Sequence, residues 1–160
     1  MQIDLRVLPE GTSRQDFELS AGSLGFAPRD LVVEGPVRLA LSLDRRGAEI
    51  WIRGKLYLVV IQPCSRCLAD YRQTLELDLE VFCAKVRNPN VVGAKAVEED
   101  DDGIHHHDGR VLTIDSEIRE AVILGLPMKP LCKEACAGLC PRCGEDRNEG
   151  PCRCGRAAAG

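Results

Sequence analysis

Eight of the nine cysteines fall into four close pairs. Cys64 and Cys67 stand mid-chain, while Cys132 with Cys136, Cys140 with Cys143, and Cys152 with Cys154 crowd the last thirty residues. Four such pairs supply the sulfur for two tetrahedral metal sites. One pair lies far from the rest in sequence, so a metal shared with it would tie distant parts of the fold together.

The N-terminus, Met1-Gln2-Ile3-Asp4-Leu5-Arg6, has no apolar signal-peptide core, and no apolar run is long enough to span a membrane. Thiols in a chain without an export signal stay reduced, so the C-x-x-C spacings predict metal ligation rather than disulfides, in a cytoplasmic protein. With 160 residues there is room for one domain and a small metal module. A net charge of −4 argues against a general polyanion binder. The charge is uneven, however. Glu98 to Asp102 is an unbroken acidic run, whereas Leu126 to Arg156 carries six basic residues against four acidic. A modest basic face beside a metal would favour phosphate contacts.

Period-2 patterning dominates the middle of the chain. Residues 2–8 predict a short first strand, and residues 9–30 predict loops around a short strand near Asp16 to Leu19. Val37, Leu39, Leu41 and Leu43 alternate with smaller or polar neighbours. Asp44-Arg45-Arg46-Gly47 is a turn. Ile50, Ile52, Leu56, Leu58 and Val60 make the next apolar row. Gly54 shares their parity and marks either a bulge or a close backbone approach. Leu75, Leu77, Leu79 and Val81 form a third row. The two later strands predict one long hairpin whose turn is Pro63-Cys64-Ser65-Arg66-Cys67. Cys83 follows the inward parity of its strand and reads as a core residue, which removes the odd cysteine.

Residues 87–110, with the acidic run and His105-His106-His107, predict a long mobile loop and a solvated histidine tract. A helix over 115–125 follows, N-capped by Asp115 or Ser116. Ile114, Ile118, Val122 and Leu126 form its apolar stripe, with Ala121 and Leu124 beside it, and Arg119 and Glu120 face solvent. Gly125 and Pro127 stop it. The fold class expected is α+β: an antiparallel sheet or partly closed barrel, one packed helix, and a C-terminal cysteine-rich zinc module. Its parts are a core over 1–125, a zinc module over 126–156 packed on it, and a disordered end over 157–160.

Cys140-Pro141-Arg142-Cys143-Gly144 has the form of a zinc knuckle. Proline fixes φ early in the turn, and glycine takes the left-handed position after it. With Cys152 and Cys154 it predicts one compact site. Cys64, Cys67, Cys132 and Cys136 then form the other. Loop-closure entropy separates the three possible pairings by only about 1.3 kcal/mol. Local geometry favours this one, because three residues between Cys136 and Cys140 are too few for a relaxed reversal. Two Zn2+ ions are therefore expected. Four thiolates leave no open position for water, so these sites predict structure rather than hydrolysis.

The spacing Cys136-x3-Cys140-x2-Cys143 also matches a radical-SAM motif, but only seventeen residues follow it, far too few for the barrel such enzymes need. No Ser-His-Asp set, phosphate loop, H-E-x-x-H or G-x-G-x-x-G motif is present. A thiol redox switch or redox-regulated chaperone, and a pure protein–protein adaptor, remain as alternative readings.

Two segments carry a family resemblance. One is Pro63-Cys64-Ser65-Arg66-Cys67-Leu68. The other runs from Ile118-Arg119-Glu120 through Leu124-Gly125-Leu126-Pro127-Met128-Lys129-Pro130-Leu131-Cys132 and Cys136-Ala137-Gly138-Leu139-Cys140-Pro141-Arg142-Cys143-Gly144 to Asn148-Glu149-Gly150-Pro151-Cys152-Arg153-Cys154. In combination they resemble the bacterial YceD-like family, the large ribosomal RNA subunit accumulation proteins, over roughly residues 31–155. The family's Leu-Asn before the last cysteines stands here as Arg147-Asn148. The resemblance implies a cytoplasmic, non-enzymatic factor for accumulation, processing or early assembly of large-subunit ribosomal RNA. Its partners would be that RNA or ribosome-assembly proteins, with no membrane and no small-molecule substrate. The residues expected to make the contact are Arg66, Lys129, Lys133, Arg142, Arg147 and Arg153.

Overall fold

The computed structural model describes residues 1–26, 31–85, 104–152 and 154. Their strands are β1 (Gln2–Asp4), β2 (Gly11–Leu19), β3 (Val32–Arg46), β4 (Glu49–Pro63), β5 (Asp70–Lys85), β6 (Ile104–His107) and β7 (Val111–Thr113), and the helix is α1 (Asp115–Gly125). Strands β2 to β6 form a five-stranded sheet in sequence order, while β1 and β7 pair in a separate two-stranded ribbon.

The apolar rows fix the register of the large sheet. Leu41, Gly54 and Leu79 stand opposite one another across β3, β4 and β5. Val37, Leu39, Leu43, Ile50, Ile52, Leu56, Leu58, Val60, Val81 and Cys83 are buried on the same face. Helix α1 packs on that face against β5, burying Ile118 and Val122, and the β1–β7 ribbon adds Ile3 and Leu112. Gly54 marks a close approach and not a bulge. A Cβ there would overlap the carbonyl oxygen of Ala40. The bulge lies between Glu34 and Arg38, where Gly35 has a φ of 76°. The opposite face of the sheet is polar. Cross-strand pairs line it, including Arg53–Glu80 at 2.9 Å, Lys55–Glu76 at 2.6 Å and Arg72–Glu34 at 2.7 Å.

Several expectations need correction. The sheet is open and not a partly closed barrel: among the described residues its edges β2 and β6 do not pair. Closure needs staggered strands that meet around the whole circumference. Here β6 is four residues long and meets only Phe82–Lys85, in parallel rather than antiparallel sense. Only residues 2–4 of the first segment are a strand. Residues 11–19 form a full nine-residue strand instead of loops around a short one. Its core-side positions include Ser13 and Gln15, so its own pattern is weak, and hydrogen bonding to β3 imposes the conformation.

The acidic run and most of the expected mobile loop lie outside the described residues, as does the end over 157–160. The histidine tract is not a solvated loop. It is β6, with the His105 side chain 8 % exposed and paired through Nδ1 with the Glu117 carboxylate. His107 is buried, with its Nε2 3.1 Å from the Ala48 carbonyl oxygen and its Nδ1 accepting from the Gly109 N–H. Neither Asp115 nor Ser116 caps α1. Ile114 takes the cap position without a side-chain bond, and the Asp115 carboxylate instead holds the Met1 ammonium. Arg119 is not free in solvent: its guanidinium lies 5.2 Å over the Phe26 ring and donates to the Gly25 carbonyl oxygen. Leu124 is exposed. Among the described residues no helix is long and apolar enough to cross a membrane.

Candidate metal centres

The β4–β5 ladder runs to its last pair, Pro63 opposite Asp70, and leaves the first cysteine pair at the hairpin tip. The Cys64 N–H donates to the Ala69 carbonyl at 2.9 Å and the Leu68 N–H to the Cys64 carbonyl at 2.9 Å, which tightens the turn. Leu68 closes it at a φ of 62°. The Arg66 N–H points at Cys64 Sγ, 3.4 Å away. A knuckle needs such N–H donors for its thiolates.

The segment after α1 is fastened to this tip. The Ser65 N–H donates to the Pro130 carbonyl at 2.8 Å and the Leu139 N–H to the Arg66 carbonyl at 3.1 Å. The Arg66 guanidinium donates to the Cys136 carbonyl at 2.9 Å. Gly138 sits against Arg66 at a φ of 68°, with a Cβ position only 3.0 Å from the Arg66 carbonyl oxygen. These bonds bring Cys132 and Cys136 to Cys64 and Cys67. All four Sγ atoms lie within 4.8 Å of one another, with Cys64–Cys136 at 3.8 Å and Cys67–Cys132 at 3.7 Å. A tetrahedral ion with metal–sulfur bonds of about 2.3 Å separates its sulfurs by about 3.8 Å. A disulfide would need about 2.05 Å. Cys64, Cys67 and Cys136 are buried, and Tyr71, Leu131 and Leu139 pack around them.

The second group is local. Cys140, Cys143, Cys152 and Cys154 also bring their Sγ atoms within 4.8 Å of one another. The Gly144 N–H donates to the Cys140 carbonyl at 2.9 Å, with Gly144 at a φ of 73°. Cys140 is buried but Cys143 is exposed, so this group is the more open of the two.

Electrostatics in the two groups are alike. Burial opposes ionisation of Cys64, but the N–H groups of Cys132, Cys67 and Arg66 outweigh it and bring the thiol down to about 6. The N–H groups of Arg142 and Cys143 bring Cys140 down to about 6. Cys132 and Cys143 are shifted the other way. Burial, then the neighbouring sulfurs, push Cys132 up to about 12. The Glu145 N–H favours a thiolate at Cys143, yet Cys154, burial and Cys140 together hold it at about 12. A bound dication relieves that mutual repulsion and releases the protons. Either group could therefore hold a metal ion. Cys83, by contrast, lies in the sheet core, where burial pushes its thiol up to about 12, with Glu117 adding to the effect.

Lys129, Lys133, Arg142 and Arg147 are exposed and make no ion pair among the described residues, while Arg153 lies outside them. Arg66 is exposed but spends its guanidinium on Cys136. Sequence reasoning missed Asn148, whose Nδ2 donates to Cys136 Sγ at 3.4 Å. Its place between the two arms of the second group gave no sign of contact with the first.

Comparison with known proteins agrees with this layout. The family described as Large ribosomal RNA subunit accumulation protein YceD matches residues 52–159. An uncharacterized protein of Mycobacterium tuberculosis (strain H37Rv) is 33% identical over 110 residues, covering 66% of this chain and 49% of the relative. An uncharacterized protein of Mycobacterium leprae is 25% identical over 109 residues, 68% of this chain and 48% of the relative. The Arabidopsis thaliana protein named Large ribosomal RNA subunit accumulation protein YCED homolog 1, chloroplastic, is 23% identical over 142 residues, 76% of this chain and 44% of the relative. The chain spans about half the length of the curated relatives it matches. No solved structure matches it. The family match takes in the long hairpin, α1 and both cysteine groups, and the chain belongs to the YceD family.

Proposed function

We propose that this chain is a non-enzymatic cytoplasmic factor for accumulation of large-subunit ribosomal RNA. In this reading two structural zinc ions hold a basic surface rigid against RNA. Four-sulfur groups of the observed spacing suit zinc, and an ion held tetrahedrally by all four thiolates would have no open coordination position for substrate. The observation that carries the RNA reading is a contrast between two surfaces. On the sheet's polar face, Arg53, Lys55 and Arg72 are each matched by a carboxylate. On the cysteine-rich segment, Lys129, Lys133, Arg142 and Arg147 are exposed and unpaired among the described residues. Cations left unmatched are the ones available to phosphate. Arg153, between Cys152 and Cys154 in sequence, and Arg66 at the hairpin tip are the other cations of this reading.

The family name supports the ribosomal RNA, because it describes accumulation and no catalytic activity. The test is ultraviolet crosslinking in cells followed by sequencing of the bound RNA. Large-subunit RNA should be recovered, and a Lys129→Glu, Lys133→Glu, Arg142→Glu variant should lose it. A Lys55→Glu control on the sheet face should keep it. Recovery of no RNA, or equal recovery by all three proteins, refutes the proposal. Exposed Leu68 and Met128 near the hairpin tip favour the adaptor alternative. In that case crosslinks fall on a protein and RNA recovery is lost with it. Metal analysis of protein purified without added zinc should give two ions per chain. One or none overturns the two-site reading.

A further inference from the structure

The two cysteine groups share one short segment. Cys136 gives its sulfur to the first group, and Cys140, four residues on, gives its sulfur to the second. The chain after Cys143 folds back along this segment. Leu139 and Asp146 form a bridge, the Cys140 N–H donates to the Glu145 carbonyl at 2.8 Å, and the Arg147 N–H donates to the Gly138 carbonyl at 2.9 Å. That return path belongs to the loop joining the two arms of the second group, yet it delivers Asn148 to the first.

The Asn148 carboxamide is held at both ends. Its Oδ1 accepts from the Ala137 N–H at 2.9 Å. Its Nδ2 donates to Asp146 Oδ1 at 2.7 Å and to Cys136 Sγ at 3.4 Å. Asp146 Oδ1 also accepts from the Asn148 N–H at 2.8 Å. The bonds to Ala137 and Asp146 therefore fix which end of the amide meets the sulfur. An N–H donor on a metal-bound thiolate lowers the charge the sulfur must place on the metal and fixes its orientation.

We infer that Asn148 is a positioning residue that couples the two centres: closing the second site fixes its carboxamide against Cys136 and so tightens metal binding at the first. This rests on the reading of both groups as zinc sites. Coupling of this kind is reciprocal in binding free energy. The more open site then governs how firmly the more buried one holds its ion, and through it how firmly the tail holds the hairpin tip.

The experiment is a cobalt(II) titration of the full chain, followed by the sulfur-to-cobalt charge-transfer bands and by competition with a chromophoric chelator. Trp51 fluorescence checks that the sheet is intact. Asn148→Ala should weaken the first site about 10- to 100-fold. It should also move that site's charge-transfer band to lower energy, which a merely structural loss leaves in place. Asn148→Asp keeps the size and the Ala137 bond but cannot donate, and should do the same. Cys152→Ser with Cys154→Ser, which disables the second site, should weaken the first by a similar factor. Adding Asn148→Ala to that pair should weaken it little further. Unchanged first-site affinity in the Asn148 variants, or fully additive losses, overturns the coupling while two bound ions keep the zinc reading intact. A wild-type chain that binds fewer than two ions overturns both.

Discussion

Gly54 and His107 show how single residues set this fold. A methyl group at Gly54 would drive into the Ala40 carbonyl oxygen and the Leu41 side chain at the centre of the sheet. Gly54→Ala should therefore lower the stability by about 1–3 kcal/mol, the usual cost of overpacking a core. Gly22→Ala, with open space around its Cβ, should change it little. Urea unfolding followed by Trp51 fluorescence measures both. His107 makes a pH prediction. Burial lowers its pKa below the ordinary 6.5, with the Ala48 carbonyl acting in the opposite direction. The folded state then binds fewer protons than the unfolded state. Its contribution is complete above about pH 6.5 and is lost as pH falls below that value. The urea midpoint should fall between pH 7.5 and 5.5, and fall less in His107→Gln. Glu117 behaves similarly in a lower window: burial opposes the shift, but the bond from His105 holds its carboxyl below the ordinary 4.5, so its contribution fades in the acid range. The parity of Gly54 and Cys83 was readable from their own strands. The place of His105 and His107 was not, because it depends on a parallel pairing with β5 that nothing in the tract itself encodes.

Among the elements, the β4–β5 hairpin was the most legible, since unbroken alternation on both sides puts Cys64 and Cys67 at its tip. Strand β2 was least legible, because it borrows its order from β3. Helix α1 was read from its stripe, but its cap was misread. The amine of Met1 reaches Asp115 from 114 residues away, beyond any local signal. The bonds Ser65–Pro130 and Arg66–Cys136 make the tip a dock for the tail. Removing a first-site sulfur should therefore free more chain than removing a second-site one. Cys64→Ser should raise the rate of tryptic cleavage at Lys133 by at least about tenfold, as local opening replaces a folded clasp. Cys152→Ser should raise it less. Excess chelator on the wild type should reproduce the larger effect.

At the scale of the whole molecule, charge is sorted by surface. On the sheet's polar face Arg38, Arg53, Lys55 and Arg72 each meet a carboxylate, whereas Lys129, Lys133, Arg142 and Arg147 on the cysteine-rich segment meet none among the described residues. RNA affinity should consequently fall with salt, at about 0.7 in log K per decade of salt for each single-stranded phosphate contacted. Filter binding between 50 and 300 mM potassium chloride measures the slope, and a flat response removes phosphate contact as its source. Alternating patterns located β3, β4 and β5 but could not tell an open sheet from a closed one. Closure is decided by how far the edge strands extend, and here β6 ends after four residues.

The clasp between hairpin and tail also has a consequence in time. Cys64 and Cys136 meet across 72 positions of chain. During synthesis the hairpin is complete long before the tail emerges. For that interval its tip presents a vicinal dithiol, with the Arg66 N–H aimed at one sulfur. A newborn chain is thus most vulnerable to oxidants and stray soft metals before its last cysteines arrive, and the finished fold hides the very pair that was exposed.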